Sequence, residues 1–346
     1  MLDAIADAFR FQAVACERLG SPISSRLCAA GLGDIESGGP LADIVSHWDQ
    51  GLDPEKNVIA LRVLGTAHRL VLLGEAPDLA AHYPSVGGMP GADLERAFLT
   101  LVGRRRETFV AGLGEQVQTN EVGRAGVLFP GLALAAAEVG LPVRLMEIGA
   151  AAGLNLRLDR FGYELGGSTT PGVPNLVPDW EGDAPPLAVP DVIERRGCDL
   201  APIDVATREG AARAESFVWP DMAGRFGRMA AAVDVARQVP AIVDAASAGE
   251  WLDRHLVPVE GSLVVLLHSV MWQYLPASEK RAIEVLLGER GATATASAPL
   301  AHLAFEPRFR SDGSWTFELT LQSWPGGRVR QLATAHPHGT WVRWRA

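Results

Sequence analysis

From Met1 to about Val139 the apolar residues recur at spacings of three and four, the period of an amphipathic helix. Ile5, Phe9, Ala13 and Cys16 share one such face. Val58–Glu75 repeats the pattern through Ile59, Val63, Ala67, Leu70 and Val71, with Asp53-Pro54 as a start signal and Gly74 with Pro77 as a stop. Ala92–Leu113 reads as a third long helix and Gly126–Glu138 as a fourth, and Pro-Gly-rich joints at Ser37–Pro40 and Tyr83–Gly91 separate them. There is no strand-like alternation and no internal repeat, so residues 1–139 are expected to form an all-helical region.

After Pro142 the period changes. Val143–Ile148 is a short apolar run that ends at glycine, as a buried parallel strand does. Leu263–His268 is a second such run, and Ala241–Val243, closed by Asp244, is a shorter third. Helical stretches, Gly210–Val235 and Ala277–Arg290, lie between or after them. Strands alternating with helices imply a mostly parallel sheet with crossover helices. Thr316–Trp324 then alternates with period two, Pro325-Gly326-Gly327 turns, and Arg328–Ala335 returns, which predicts an antiparallel hairpin closing one edge of the sheet. Residues 165–200, rich in Gly and Pro over 165–190, are expected to be a surface insertion in a second domain spanning residues 140–346.

Composition narrows the function classes. At 48% hydrophobic residues over 346, the chain can bury a core and is not a disordered segment. A net charge of -10 argues against a nucleic-acid partner, whose phosphates require Lys and Arg. The cysteines Cys16, Cys28 and Cys198 form no C-x-x-C pair, which excludes a cysteine zinc site or a disulfide scaffold and suits a reducing compartment. Acids near the start (Asp3, Asp7) oppose a signal peptide, and the apolar stretches Gly126–Ala137 and Leu263–Met271 fall short of the roughly 20 residues of a membrane span. The expected location is cytoplasmic, with no membrane partner. Lysine occurs only at positions 56 and 280, which disfavours a Schiff-base enzyme.

The sharpest local signal is Glu147-Ile-Gly149-Ala150-Ala-Ala-Gly153-Leu-Asn155. A strand enters small residues and then a helix, so backbone amides and close approach are on offer to a ligand. The pyrophosphate form G-x-G-x-x-G fails at Ala151 and Leu154, and no Gly-Lys-Ser/Thr occurs. What survives is an acid-x-Gly-x-x-x-Gly turn, which suits a ligand without a pyrophosphate and leaves Glu147 to meet a cationic or hydroxyl group. The other reading of this turn is packing alone.

The layout of residues 142–346 resembles the Rossmann-like S-adenosylmethionine-dependent methyltransferases. In that family such a turn follows the first strand and cradles the methionine half of the cofactor, an acid closing the second strand holds the ribose, an acid closing the third lies near the adenine, the fourth ends by the reacting methyl, and the seventh runs antiparallel. The resemblance implies S-adenosylmethionine as cofactor, with Glu147, Gly149, Ala150, Gly153 and Asn155 in the first element, Asp244 and Ala245 in the third, His268 and Ser269 at the end of the fourth, and Thr316–Ala335 as the last two strands. The second-strand acid stays open between Glu164, Asp199 and Asp204. The helix between the fifth and sixth strands is expected to shrink to the segment around Glu306–Ser314, and no Asn/Asp-Pro-Pro-aromatic string follows the fourth strand, so methylation of a base or glutamine amine is not indicated. More narrowly, Glu147–Leu156, Val218-Trp-Pro-Asp221 and His268-Ser269 resemble an uncharacterised bacterial family, domain-of-unknown-function family 2332, which implies the same core behind a helical N-terminal half and supplies no substrate.

Methyl transfer needs alignment and sometimes a base. His268 is the base candidate, against a histidine that only bonds backbone; Ser269 is a candidate for the cofactor amine. Trp272 and Tyr274 are expected either to wall the site or to pack the next helix. Asn120 and Arg124, near Thr119 and Glu121, either cap the lead-in helix or close over the cofactor carboxylate. Trp219-Pro-Asp221 with Arg225 and Arg228 reads first as a helix start, Arg104–Arg106 as a solvated face, and His68 as a core histidine. His302, His336 and His338 are too scattered to predict a metal site, and neither H-E-x-x-H nor G-x-S-x-G occurs. The expectation is a helical cap (1–139) on an α/β domain (140–346) whose junction admits a small-molecule acceptor. The alternative is a non-catalytic shell of the same fold that senses a ligand or binds a protein. The oligomeric state is not legible.

Overall fold

The helical periodicity of residues 1–139 becomes helix in the computed structural model, which describes residues 2–49, 51–309 and 315–346. In chain order these helices are α1 (Leu2–Arg18), α2 (Pro22–Glu36), α3 (Pro40–Val45), α4 (Ile59–Leu72), α5 (Pro77–Ala80), α6 (Leu94–Arg104), α7 (Arg106–Leu113) and α8 (Ala125–Val139). Two expectations about them change. The carboxylate of Asp53 accepts the amides of Glu55 and Lys56 in a turn instead of opening α4, which begins at Ile59. Ala92–Leu113 is two helices, because Arg105 takes φ -115° and ψ 33°, outside the helical region.

Alternation of strand and helix follows. The strands are β1 (Val143–Ile148), β2 (Gly162–Leu165), β3 (Ser168–Thr170), β4 (Asn175–Leu176), β5 (Asp179–Glu181), β6 (Val192–Asp199), β7 (Ile242–Ala245), β8 (Leu263–Ser269), β9 (Leu300–Phe309), β10 (Trp315–Trp324), β11 (Arg328–Ala335) and β12 (Trp341–Trp344). The helices among them are α9 (Arg208–Ser216), α10 (Ala223–Gln238), α11 (Ala248–His255) and α12 (Ala277–Ala292). The single helix expected over Gly210–Val235 breaks around Pro220, since proline in a helix interior removes a hydrogen bond and clashes with the preceding turn.

The chain divides into two units, Met1–Thr119 with Ile203–Ala230, and Asn120–Pro202 with Ala231–Ala346. The first is helical, with Phe9, Leu27, Leu41, Val63, Phe98 and Phe109 in its core. Ile203–Ala230 is tied into it by Asp221, which accepts from the Ser21 hydroxyl and the Ile23 amide at the start of α2. Asp221 therefore anchors a helix start, and Arg104, Arg105 and Arg106 form exposed ion pairs with Asp78, Glu75 and Asp43.

The second unit is α/β. Its large sheet has the order β5-β12-β11-β10-β9-β8-β1-β6-β7, and β2, β3 and β4 form a small separate sheet. From β9 to β7 every pairing is parallel; β10, β11 and β12 continue antiparallel. The hairpin β10–β11 forms as its alternation predicts, but it does not close the sheet: β12 and β5 lie beyond it. Within the expected surface insertion, Val192–Asp199 is the strand beside β1. The segment Glu306–Phe309, expected as part of a short helix, is strand β9 paired with β10; its continuation, 310–314, lies outside the described residues.

Alternate residues face alternate sides of the sheet. Met146, Ile148, Cys198, Val264, Leu266 and Leu300 pack with Trp251 and Leu252 of α11 and Ile283 and Leu287 of α12. The other side carries α8, close enough that a Cβ on Gly131 would lie 2.8 Å from Leu303 and 3.2 Å from Leu319. The apolar window Val122–Val139 is long enough to cross a membrane by length and composition, and 67% of it is buried in protein, as in a core helix.

Candidate functional site

β1 is central to the parallel half. The chain runs from β1 to β6 and β7 on one side, then returns to β8 and β9 on the other. The C-terminal ends of β1 and β8 therefore flank a topological switch point, the usual ligand position in such sheets. Two loops meet there: Gly149–Gly153 after β1, and Val270–Trp272 after β8. Each contains a non-glycine residue in the left-handed region, Ala151 (φ 48°) and Val270 (φ 54°). Such residues cost of order 1–3 kcal/mol and persist only where neighbours impose them.

The loop after β1 does not offer bare amides as expected. Ala150 N–H donates to the Cys198 carbonyl at 3.0 Å, Ala151 N–H to Asp199 Oδ2 at 2.9 Å, and Gly153 N–H to the Ala150 carbonyl at 2.6 Å. The segment that follows, Leu154–Arg160, is a 3₁₀ helix. Three of the loop's donors thus face inward and fix its shape. Gly149 and Gly153 are both left-handed (φ 67° and 65°), a conformation that favours glycine. A Cβ on Gly149 would also lie 2.9 Å from Cβ and Cγ of Met271, so the Met271 side chain covers the loop.

Side chains supply the chemistry instead. Glu147, the penultimate residue of β1, is 3% exposed, and its Oε2 has no hydrogen-bond partner among the described residues. Burial pushes its carboxyl up to about 8; the guanidinium groups of Arg157 and Arg124 pull the other way, and Asp199 adds to the rise. Asn155 Oδ1 and Asn120 Nδ2 are likewise buried without a partner among the described residues. The 3₁₀ turn Val122–Arg124 that follows Asn120 packs on Leu154–Arg160. A buried polar group without a partner costs about 1–3 kcal/mol, so three in one region mark a place where a polar ligand would be rewarded.

The cations here are fastened to main chain. Arg124 donates to the carbonyls of Ser269 (3.2 Å) and Pro337 (3.0 Å), joining the start of α8 to the end of β8. Arg157 donates to the carbonyls of Gly153 (2.6 Å) and Val239 (2.9 Å), and burial lowers it to about 10. Arg195 holds Asp159 through two 2.7 Å bonds, locking the 3₁₀ helix to β6.

Of the three acids left open in sequence, Asp199 ends the strand beside β1 and lies close enough to raise the Glu147 carboxyl. Glu164 lies in the small sheet, exposed, accepting from Asn175 at 2.7 Å. Asp204 caps the Ala206 amide in the turn before α9 and belongs to the first unit. Asp244, the penultimate residue of β7, faces α11, where it accepts from Trp251 Nε1 (2.8 Å) and Arg196 Nε (3.1 Å); the Trp251 bond, then Arg196, hold its carboxyl low. Ala245 pairs with Asp199.

The structure removes His268 from this group. Glu147 pairs in register with Leu267, so His268, one residue on, points to the opposite side of the sheet. Both its nitrogens are engaged: Nδ1 with Glu306 Oε1 at 2.7 Å and Nε2 with His302 Nε2 at 2.9 Å. With no lone pair or proton to spare, it is not placed as a base. Trp272 stacks on it, ring centroids 5.1 Å apart. Tyr274 is 75% exposed. Sequence reasoning missed Glu306 and His302. Their signal was the even spacing 302, 306 along β9, which a strand running through Glu306 would have put on one face. His302 is half-buried beside His268, and loss of solvent around the ring first, then His268 and Arg308, lowers it to about 3. Among the described residues no group of three or more His, Cys, Asp or Glu is arranged to hold a metal.

The chain belongs to the family described as "uncharacterized protein conserved in bacteria (DUF2332)", whose model matches residues 6–344. No curated protein matches it.

Proposed function

Starting from that membership and from the groups around Glu147, we propose that this protein is an S-adenosylmethionine-dependent methyltransferase acting on a small-molecule acceptor. The observation that carries the reading is the buried, partnerless Glu147 oxygen at the end of β1, at the switch point and in the same region as the equally partnerless Asn155 and Asn120. An α-amino acid head answers these needs: its ammonium suits Glu147 Oε2 and Asn155 Oδ1, its carboxylate suits Asn120 Nδ2. Asp199, at the end of β6, is the ribose acid in this reading. The cofactor supplies an electrophilic methyl group.

The chain's own part is positioning. Gly149 and Gly153 give the loop its left-handed bends, Asp199 holds Ala151, and Arg124 fixes the end of β8. With its carboxyl raised to about 8 despite Arg157 and Arg124, Glu147 carries its proton at neutral pH in the free protein, and a ligand ammonium favours the ionised form, so binding releases a proton.

Mass spectrometry of the denatured purified protein and calorimetry with S-adenosylmethionine and S-adenosylhomocysteine test this. Binding by the wild type, lost in Gly153→Arg, supports the reading. Absence of heat and of any thermal shift with either compound overturns it. A second reading, a shell of this fold that senses the ligand without catalysis, is favoured by His268, whose nitrogens are both spent. Binding without turnover of any acceptor distinguishes it.

A further inference from the structure

The turn after β8 holds one side chain over the glycine loop, and a single carboxylate holds the turn. Val270 sits at φ 54°, which a β-branched residue adopts only under constraint. Its amide donates to the Phe305 carbonyl at 2.9 Å. The next two amides, Met271 and Trp272, donate to Glu306 Oε1 at 3.0 and 3.2 Å. The same oxygen takes the His268 Nδ1 bond, and His302 braces His268 from behind. Glu306 Oε2 is buried with no partner among the described residues. One oxygen therefore serves three donors while the other serves none, which leaves an acceptor for a shifted turn. In the observed position Met271 lies against Gly149, where a side chain has no room.

We propose that Glu306 is the positioning residue of a gate: its carboxylate clamps the Val270–Trp272 turn so that Met271 covers Gly149, and release of the turn admits ligand to the ends of β1 and β8. This rests on the switch point being the ligand site, and the experiment separates the two ideas. The hydrogen bonds of Glu306 run to His268 and to the turn, so it acts through the turn.

The chain has 6 methionines, so ¹³C-methyl labelling gives a short spectrum in which Met271→Leu assigns the gate signal. In ligand-free protein, Glu306→Ala shifts or broadens the Met271 signal and leaves the other methionine signals in place, which also shows that the variant folds. Glu306→Gln keeps an accepting oxygen and restores the wild-type signal. An unmoved Met271 signal in Glu306→Ala, or an equal change in the Gln variant, overturns the clamp. Should Glu306→Ala not fold, Met271→Ala decides. It raises the association rate of S-adenosylhomocysteine by about tenfold if the open turn is about a tenth of the population. An unchanged rate overturns the gate. If no variant binds S-adenosylhomocysteine, the proposed function fails while the methyl signals still judge the clamp.

Discussion

The amide of Ala151 donates to the carboxylate of Asp199 at 2.9 Å, and this bond links the loop after β1 to the end of β6. The second Asp199 oxygen accepts from Ala201 at 3.0 Å. Ala151 is left-handed and buried, so the bond also stabilises a backbone conformation that alanine resists. Asp199→Ala removes the acceptor of the buried Ala151 amide and is expected to cost about 2 kcal/mol, at about 1–3 for a buried unsatisfied group. Asp199→Asn keeps one accepting oxygen and loses less. Urea denaturation orders the three proteins wild type, Asn, Ala. Equal midpoints for the Ala variant and the wild type contradict this role.

Glu147 makes stability depend on pH. Its folded value is about 8, against 4.5 for an exposed glutamate. Below about 4.5 both states carry the proton and its full contribution is present. Between there and about 8 the unfolded chain is ionised while the folded chain keeps its proton, so stability falls as pH rises. At about 1.4 kcal/mol per pH unit the loss reaches a few kcal/mol near pH 8. Glu147→Gln cannot ionise and lacks this slope. Denaturation midpoints from pH 5 to 9 should show the variant gaining on the wild type as pH rises; parallel profiles contradict the buried, protonated carboxyl.

Local patterns carried much of the architecture. β1, β8 and the β10–β11 pair were legible because apolar runs and period-two alternation survive in any context. β6 was not, because Glu194, Arg195 and Arg196 interrupt its apolar pattern, and their partners, Asp159 for Arg195 and Asp244 for Arg196, lie far off in sequence. The same distance hid the site. Glu147 and its glycine loop could be read, but not that Asp199 takes the Ala151 amide or that Met271 covers Gly149, since both depend on strand order. His268 was misjudged because a strand end shows neither which face it looks to nor that His302 and Glu306 await it.

The Arg195–Asp159 pair is a buried clamp, with side chains 5% and 2% exposed. Arg195→Met removes the charge, both bonds to Asp159 and the 3.0 Å bond to the Leu156 carbonyl, leaving Asp159 with Arg160, which is 3.1 Å away but largely exposed. Breaking one side of a buried pair costs about 3–5 kcal/mol, and the remaining contact places this case near the lower end. Arg195→Met with Asp159→Leu removes both charges and should recover part of the loss. A double-mutant cycle in urea measures it; additive losses contradict coupling.

His68 sets an acid limit on the helical unit. Nδ1 donates to the Ser216 carbonyl at 3.2 Å, which leaves Nε2 to accept from the Ser85 hydroxyl at 2.8 Å. Burial holds the ring neutral, lowering it from 6.5 to about 4 against the opposing pull of the Ser216 and Val218 backbone. Above about 6.5 neither state is protonated and the contribution is complete. As pH falls from there to about 4 the unfolded chain gains a proton that the folded chain refuses, so stability is lost, by up to about 3 kcal/mol at about 1.4 per pH unit. His68→Asn loses packing and is less stable at pH 7, but its decline between pH 6.5 and 4.5 is shallower. Denaturation midpoints over that range check the sign: if the wild type and His68→Asn decline in parallel, the imidazole is not held neutral by the fold.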